Sequence, residues 1–374
     1  MGSLRRLAIR LVVAAVLLAG VLYASLGGGA RMRDVSTPPA LPRDAVELVA
    51  DLSYPPGNIA VSPAGRVFFT YHPDGHPPAQ VLELVDGHAV PYPSADEGRY
   101  QSVLALRIDR QGRLWALDHA HFGRGQPRLL AFDLETNALV HQYDFPSSTA
   151  GFLSMLNDFQ VSPDGRWIYI AESSPIIQRP ALVVYDVEQK TSTRLLDRHP
   201  SVLPLDYRIA APGRDMTILG GLVTLRIGVD SIALDRRGEW LYYGPVNGDR
   251  LFRIRTAMLR DATLTAETLA GLTEDFAAKS ISDGLSTDDA DTIYVTDPEH
   301  SAIHTIAADK TLHTLVRDER MRWPDGLSFG PDGWLYVTCS ALQDVLFVSA
   351  ERAKKAAPFQ IYRVRTDAQA APGQ

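Results

Sequence analysis

Oxygen-bearing side chains recur at one place in a repeat that runs most of the length of this chain. Aligned on Gly65, Gly112, Gly165, Gly238, Asp291 and Gly333, the positions eight residues earlier are Gly57, Leu104, Asn157, Asp230, Asp283 and Asp325. Asn58 and Asp158 stand one residue along in the first and third copies. If the copies surround an axis, these carboxylates and amides converge on it. Hard oxygen donors of that kind suit Ca2+ or Mg2+ more than zinc. Acids brought close together without a cation repel and raise at least one pKa, so the place calls for a cation or a basic ligand. The competing reading is architectural: an Asp before Gly at a strand entrance caps its own turn through nearby backbone amides. Against a purely architectural role, the acid is lost at Gly57 and Leu104 and becomes an amide at Asn157.

A second polar set follows the aromatic half of each copy and is expected on one rim. It comprises Tyr71 and His72, Asp118 with His119 and His121, Glu172, Tyr243 with Asn247, Asp297 with Glu299 and His300, and Ser340. His119 beside an aspartate can shuttle a proton next to a carbonyl, as a tautomerase requires. His119 and His121 as a zinc pair lack a local third ligand. Ligand contacts are expected from Asn58 and Asp158 in the funnel and from His119, Tyr243, Asn247 and Asp297 on the rim.

The repeat has to position these groups. Its copies are "GNIAVSPAGRVFFTY", "LALRIDRQGRLWALD", "NDFQVSPDGRWIYIA", "DSIALDRRGEWLYYG", "DGLSTDDADTIYVTD" and "DGLSFGPDGWLYVTC". In each, a short alternating run, a Gly or Asp turn and an aromatic-rich run predict a hairpin. Starts at 57, 104, 157, 230, 283 and 325 give spacings of 47, 53, 73, 53 and 42, close to the length of a four-stranded blade. The expected fold is all-β: one six-bladed propeller over residues 45–366, with the terminal strands closing the ring together. The long interval carries an insertion within 199–221, and 256–272 predicts a short helix. Trp115, Trp167, Trp240 and Trp334 follow the turn residue in four copies and are expected to pack between blades.

The remaining features bound the function. Hydrophobic residues make up 45% and the net charge is −7, with no basic stripe to follow a phosphate backbone, so nucleic acid is not an expected partner. The lone Cys339 excludes an intrachain disulfide and a cysteine metal cluster. No nucleophile elbow, phosphate loop, dinucleotide fingerprint or HExxH run occurs. Arg5, Arg6 and Arg10 precede an uncharged run from Leu11 to Leu26, followed by Gly28 and Ala30 as a small-x-small site. Residues 1–30 therefore read as an export signal or, if uncleaved, a membrane anchor over 7–26. Residues 31–44 read as a linker and 367–374 as a tail. The body is expected outside the cytoplasm, taking a small-molecule ligand; the oligomeric state is left open.

The segments "SVLALRIDRQGRLWALDHA", "LNDFQVSPDGRWIYIAES", "GVDSIALDRRGEWLYYGPVNGDRLFRI", "DGLSTDDADTIYVTDPEHSAIHTI" and "WPDGLSFGPDGWLYVTCSAL" resemble the major royal jelly protein/Yellow family over residues 95–365. The resemblance implies a six-bladed propeller and export. It implies a ligand bound or converted in the central funnel, since that family includes dopachrome-converting enzymes and amine-binding salivary proteins. The chain departs from animal members in lacking their disulfides. The propeller class is also similar to gluconolactonase-type lactonases, which hold a divalent metal in the channel. That similarity implies Asn157, Asp230, Asp283 and Asp325 as ligands of Ca2+ or Mg2+, with Asp230 or Asp283 as base for lactone hydrolysis. Tautomerase, lactonase, amine-binding protein and scaffold all remain open at this stage.

Overall fold

All six turn residues adopt left-handed backbone: φ is 79° at Gly65, 77° at Gly112, 71° at Gly165, 69° at Gly238, 62° at Asp291 and 73° at Gly333. Glycine does this without steric cost, and aspartate is one of the few other residues that tolerates it. The computed structural model describes residues 2–93 and 99–370. Within them, six antiparallel sheets of four strands form the blades. The innermost strands are Pro56–Val61, Val103–Ile108, Leu156–Val161, Val229–Leu234, Leu285–Thr287 and Pro324–Phe329. Each touches the innermost strands of both neighbouring blades, which closes the ring.

Closure uses both ends of the fold. Val46–Leu52 is the outermost strand of the sixth blade and pairs antiparallel with Phe359–Arg365, Val46 opposite Val364 and Leu52 opposite Phe359. The core is correspondingly divided into clusters lying between consecutive blades. An innermost strand such as Leu156–Val161 is buried at every residue, whereas the outer strand Leu139–Asp144 alternates. Most polar residues on inner strands are therefore buried whichever way they point, with Asp325 half-buried. Trp115 is fully buried, and Trp167, Trp240 and Trp334 are half-buried under arginines, with the Arg253 guanidinium 4.0 Å from the Trp240 ring and Arg363 4.0 Å from that of Trp334.

The insertion precedes the fourth blade and folds into two small ribbons, Ala210–Ala211 with Arg214–Asp215 and Thr217–Ile218 with Val223–Thr224. Ile209, Ala211 and Met216 pack into the cluster between blades six and one, and Arg214 donates to the carbonyls of Gln343 and Leu346. It thus reaches across the channel mouth. The helix expected over 256–272 is two shorter ones, Thr256–Leu259 and Ala266–Gly271. Between them Asp261 accepts from the Thr263 amide at 2.9 Å, a local turn that competes with helix.

Residues 31–44 do not run free. Ala40 and Leu41 donate to Thr314 and Leu315 carbonyls at 3.0 and 2.8 Å, covering the outer edge of blade five. An open strand edge offers unpaired backbone groups, which explains the attachment. Of the tail, 371–374 lie outside the described residues; Ala368 and Ala370 pack beside blade six. At the other end, Gly2–Leu26 is one helix, and its stretch Leu4–Leu26 is long and apolar enough to cross a membrane, with mean hydropathy 2.4.

Candidate functional site

Five of the six innermost strands break register at the repeat position: between Pro56 and Ile59, Val103 and Ala105, Leu156 and Phe159, Val229 and Ser231, and Pro324 and Leu327. A bulge places an extra residue out of the ladder and re-aims its side chain. Here the re-aimed residues are Asn58, Leu104, Asn157, Asp158, Asp230 and Asp325, and they line a cavity of about 860 Å3 together with Asp283. Apolar residues including Leu104, Phe122, Ile176, Leu225, Leu327 and Leu342 form most of its walls.

Asp158 accepts from the Phe159 amide at 2.8 Å. Asp283 and Asp325 do not cap their own turns; in blades one, five and six, threonines on the second strands hold the turn amides instead. Thr70 Oγ1 accepts from the Asn58 amide at 2.9 Å, Thr296 Oγ1 from Asp283 and Gly284 at 3.2 and 2.8 Å, and Thr338 Oγ1 from Gly326 at 2.9 Å. The carboxylates are left to face the channel. The glycine of each "DG" serves close approach: a Cβ on Gly284 would lie 1.9 Å from the Asp325 carbonyl oxygen, and one on Gly326 would lie 2.8 Å from Asn58 Cα. Gly284→Ala is accordingly expected to cost about 1–3 kcal/mol in denaturant unfolding and to displace Asp325, because a backbone atom must move. An unchanged midpoint would show that the strands yield freely.

Against two of these channel residues lies a buried cation. Arg107, fully buried, donates to Asp158 at 2.7 Å and to Asn58 Oδ1 at 2.6 Å. Burial still pushes Asp158 up to about 6, against the pull of Arg107. Asp283 is also raised to about 6 by burial, moderated by the Trp323 indole N–H, which donates to it at 2.5 Å. Asp230 and Asp325 stand well above the usual carboxylate range, first through burial and then through the charge of Asp283. Asp230 accepts from the Asn157 amide, which opposes the rise. Lys279, buried behind the acids, donates to the carbonyls of Gly248 and Ser280 at 2.8 and 3.0 Å, and burial lowers it to about 7.

Of the rim set, His72 lines the cavity and Ser340 hydrogen-bonds Asp325, whereas the four residues expected as rim ligand contacts do not join this group. Tyr243 is fully buried between blades three and four, its hydroxyl 2.9 Å from Ser201 Oγ. Asn247 is spent on the insertion, accepting from Ile227 and donating to the Tyr207 and Leu225 carbonyls. Asp297 accepts from Glu299 and His300 amides and from two histidines, and is held at about 2 despite its burial. His119 caps a turn through Nδ1 to the Phe122 amide, and burial lowers it to about 4. Its neighbour Asp118 is consumed by the amides of Gln101, Ser102 and Ala120, so no proton shuttle from this pair reaches the cavity. Asn247, Asp297 and His119 satisfy backbone groups and Tyr243 a side-chain hydroxyl, demands that sequence position alone does not reveal. Conversely Arg107, Trp323 and the capping threonines were not singled out. A threonine late in the second strand of copies one, five and six, and the "WPDG" tryptophan outside the turn-tryptophan register, are the signals that were present.

A family model described as major royal jelly protein matches residues 101–372. The chain belongs to that family. Among individual major royal jelly proteins, number 1 of Apis mellifera is 29% identical over 191 residues, 46% of this chain and 41% of the relative. Number 7 of the same insect is 28% identical over 183 residues, 44% and 39% respectively. The matched stretch therefore spans well under two thirds of the length of these relatives. Among solved structures, the calcium-binding protein regucalcin of Agrobacterium tumefaciens superposes with TM-score 0.54 at 17% identity, covering 87% of this chain and 94% of that one. A gluconolactonase of Xanthomonas campestris gives 0.54 at 13% identity, covering 90% and 97%. At these identities the likeness is one of fold.

The donor set of this major royal jelly family member can be compared with what a divalent cation needs. Its oxygens are of the right chemical kind, but among the described residues no three Asp, Glu, His or Cys side chains form a group that could hold a metal ion. A Ca2+ or Mg2+ shell takes six or more oxygens, amide, carbonyl and water oxygens among them, of which Asn157, Asp230, Asp283 and Asp325 would supply a part.

Proposed function

We propose that this major royal jelly family protein binds a small organic amine in its central cavity, seating the ammonium among Asp230, Asp283 and Asp325. The observation that supports this is an imbalance of charge. Asp158 has Arg107, whereas no ion pair joins Asp230, Asp283 or Asp325 to a basic side chain among the described residues. A buried carboxylate without a cation is unfavourable, so a cationic ligand completes the site. The apolar walls suit an aromatic or aliphatic body, and about 860 Å3 accommodates one.

Lactone hydrolysis is the second reading, favoured by the meeting of Asn157 with three acids on one axis. Calorimetry on the full-length protein distinguishes the two. Aromatic amines are expected to bind, with Asp230→Asn weakening them by ~30-fold or more, as for removal of one partner of a buried charge pair. Calcium should leave amine affinity unchanged. Absence of any amine binding up to millimolar, with lactone turnover that EDTA abolishes, would replace this reading by the second.

A further inference from the structure

Large exposed hydrophobics cluster on one face. Phe152, Ile176, Ile177, Leu205, Leu219 and Phe347 are 69%, 51%, 47%, 43%, 66% and 56% exposed. Ile176 and Phe347 line the cavity mouth, and the others sit beside the mouth residues Phe122, Pro204 and Ile218. They come from the loops of blades two, three and six and from the insertion, so they surround the opening. Soluble surfaces rarely gather apolar side chains in this way without a partner.

The N-terminal helix ends on the same face. Ala24, Ser25, Leu26 and Gly27 line the cavity mouth. Arg226 donates to the Leu26 and Gly27 carbonyls at 2.9 Å each, and Thr224 donates to Gly28 at 2.7 Å. The apolar stretch Leu4–Leu26 therefore runs into the body with no spacer. At ~1.5 Å per residue it matches a bilayer core of ~30 Å. Arg5, Arg6 and Arg10 at its start favour the cytoplasmic side. A body tied to the last residue of such a helix has to sit at the opposite bilayer surface, with the tied face towards the lipid.

We propose that the apolar rim is a membrane-contact surface, seated on the bilayer that holds residues 4–26, so that the cavity opens into the headgroup layer. This stands on the fold and the helix and not on which ligand the cavity takes.

Cys339 is buried, so single new cysteines can be labelled selectively. Full-length Phe152→Cys, Ile177→Cys and Phe347→Cys would carry an environment-sensitive fluorophore in phosphatidylethanolamine–phosphatidylglycerol vesicles containing a lipid-borne quencher. Arg237→Cys, on the exposed turn at the other end of the channel, is the reference. Rim labels at the headgroup boundary are expected to be quenched about threefold or more relative to the reference. Equal quenching at both ends overturns the proposal. So does rim-label shielding that grows with protein density but not with quencher lipid, which reports a second copy. Mass spectrometry of the membrane-extracted protein is expected to show residues 1–30 retained; cleavage before Arg31 in that fraction also overturns it.

Discussion

Replacing Asp283 by asparagine should make the ligand-free protein more stable at pH 7.5 while removing its affinity for amines. The folded state holds Asp283 near 6, against an ordinary 3.8. A carboxyl whose folded pKa is raised stabilises the fold fully below the unfolded value. That stability is lost as pH climbs through the folded value. The loss therefore falls between about pH 4 and 7. Some two pKa units correspond to on the order of 3 kcal/mol at most. Asparagine removes the charge and still accepts from the Trp323 indole. Other groups titrate in the opposite sense, Asp297 at about 2 among them, so the informative quantity is the difference between the two proteins across pH. That difference should grow in favour of Asp283→Asn from pH 4 to 7.5. A constant or shrinking difference would mean that the Asp283 charge is compensated inside the protein and its folded pKa is not raised. Stability gained by disabling a site is a familiar exchange, since binding sites keep unfavourable groups for use.

The largest loss is expected at Arg107. Arg107→Met leaves Asp158 buried beside Asn58 with no cation, the situation that costs about 3–5 kcal/mol when one partner of a buried pair is removed. The guanidinium links the first, second and third blades through Asn58 and Asp158, so the effect should appear in the global transition. Adding Asp158→Asn to Arg107→Met should recover most of the loss, because the uncompensated charge is then gone. Urea unfolding of the two single variants and the double variant measures this coupling. A double variant no better than Arg107→Met would mean that the arginine contributes packing alone. The pair also separates the channel acids: Asp158 has a cationic partner, whereas among the described residues no ion pair joins Asp230, Asp283 or Asp325 to a basic side chain.

The repeat was legible because each copy carries a local signal. Turn glycines, alternating runs and constant spacing act over a few residues, and the six left-handed turns follow directly. The offset of eight residues that finds Asp230, Asp283 and Asp325 works because it counts along one hairpin of fixed geometry. The rim was not legible in the same way. Asn247, Asp297 and His119 stand at or beyond the end of the second strand, where loops differ in length and each meets whichever backbone group lies unpaired there, while Tyr243 meets the Ser201 hydroxyl. Asn247 answers to Tyr207 of the insertion, 40 residues earlier in the chain. Arg107 was hidden for a different reason. It stands three residues beyond Leu104 on an inner strand, and only the packing of the next blade against its own brings it to Asp158.

The sixth blade has a temporal side as well. Its outermost strand, Val46–Leu52, is among the first parts of the fold to be made, and its partner, Phe359–Arg365, among the last. Pairing segments so far apart in the chain carries a large loop-closure cost, which is recovered only when the intervening blades are in place. If the body crosses a membrane behind residues 4–26, as proposed above, it must carry that strand unpaired until nearly all of the chain has emerged. Completion of the ring then works as a checkpoint: truncation anywhere before residue 359 leaves a strand without its mate and two open sheet edges for chaperones or proteases to recognise.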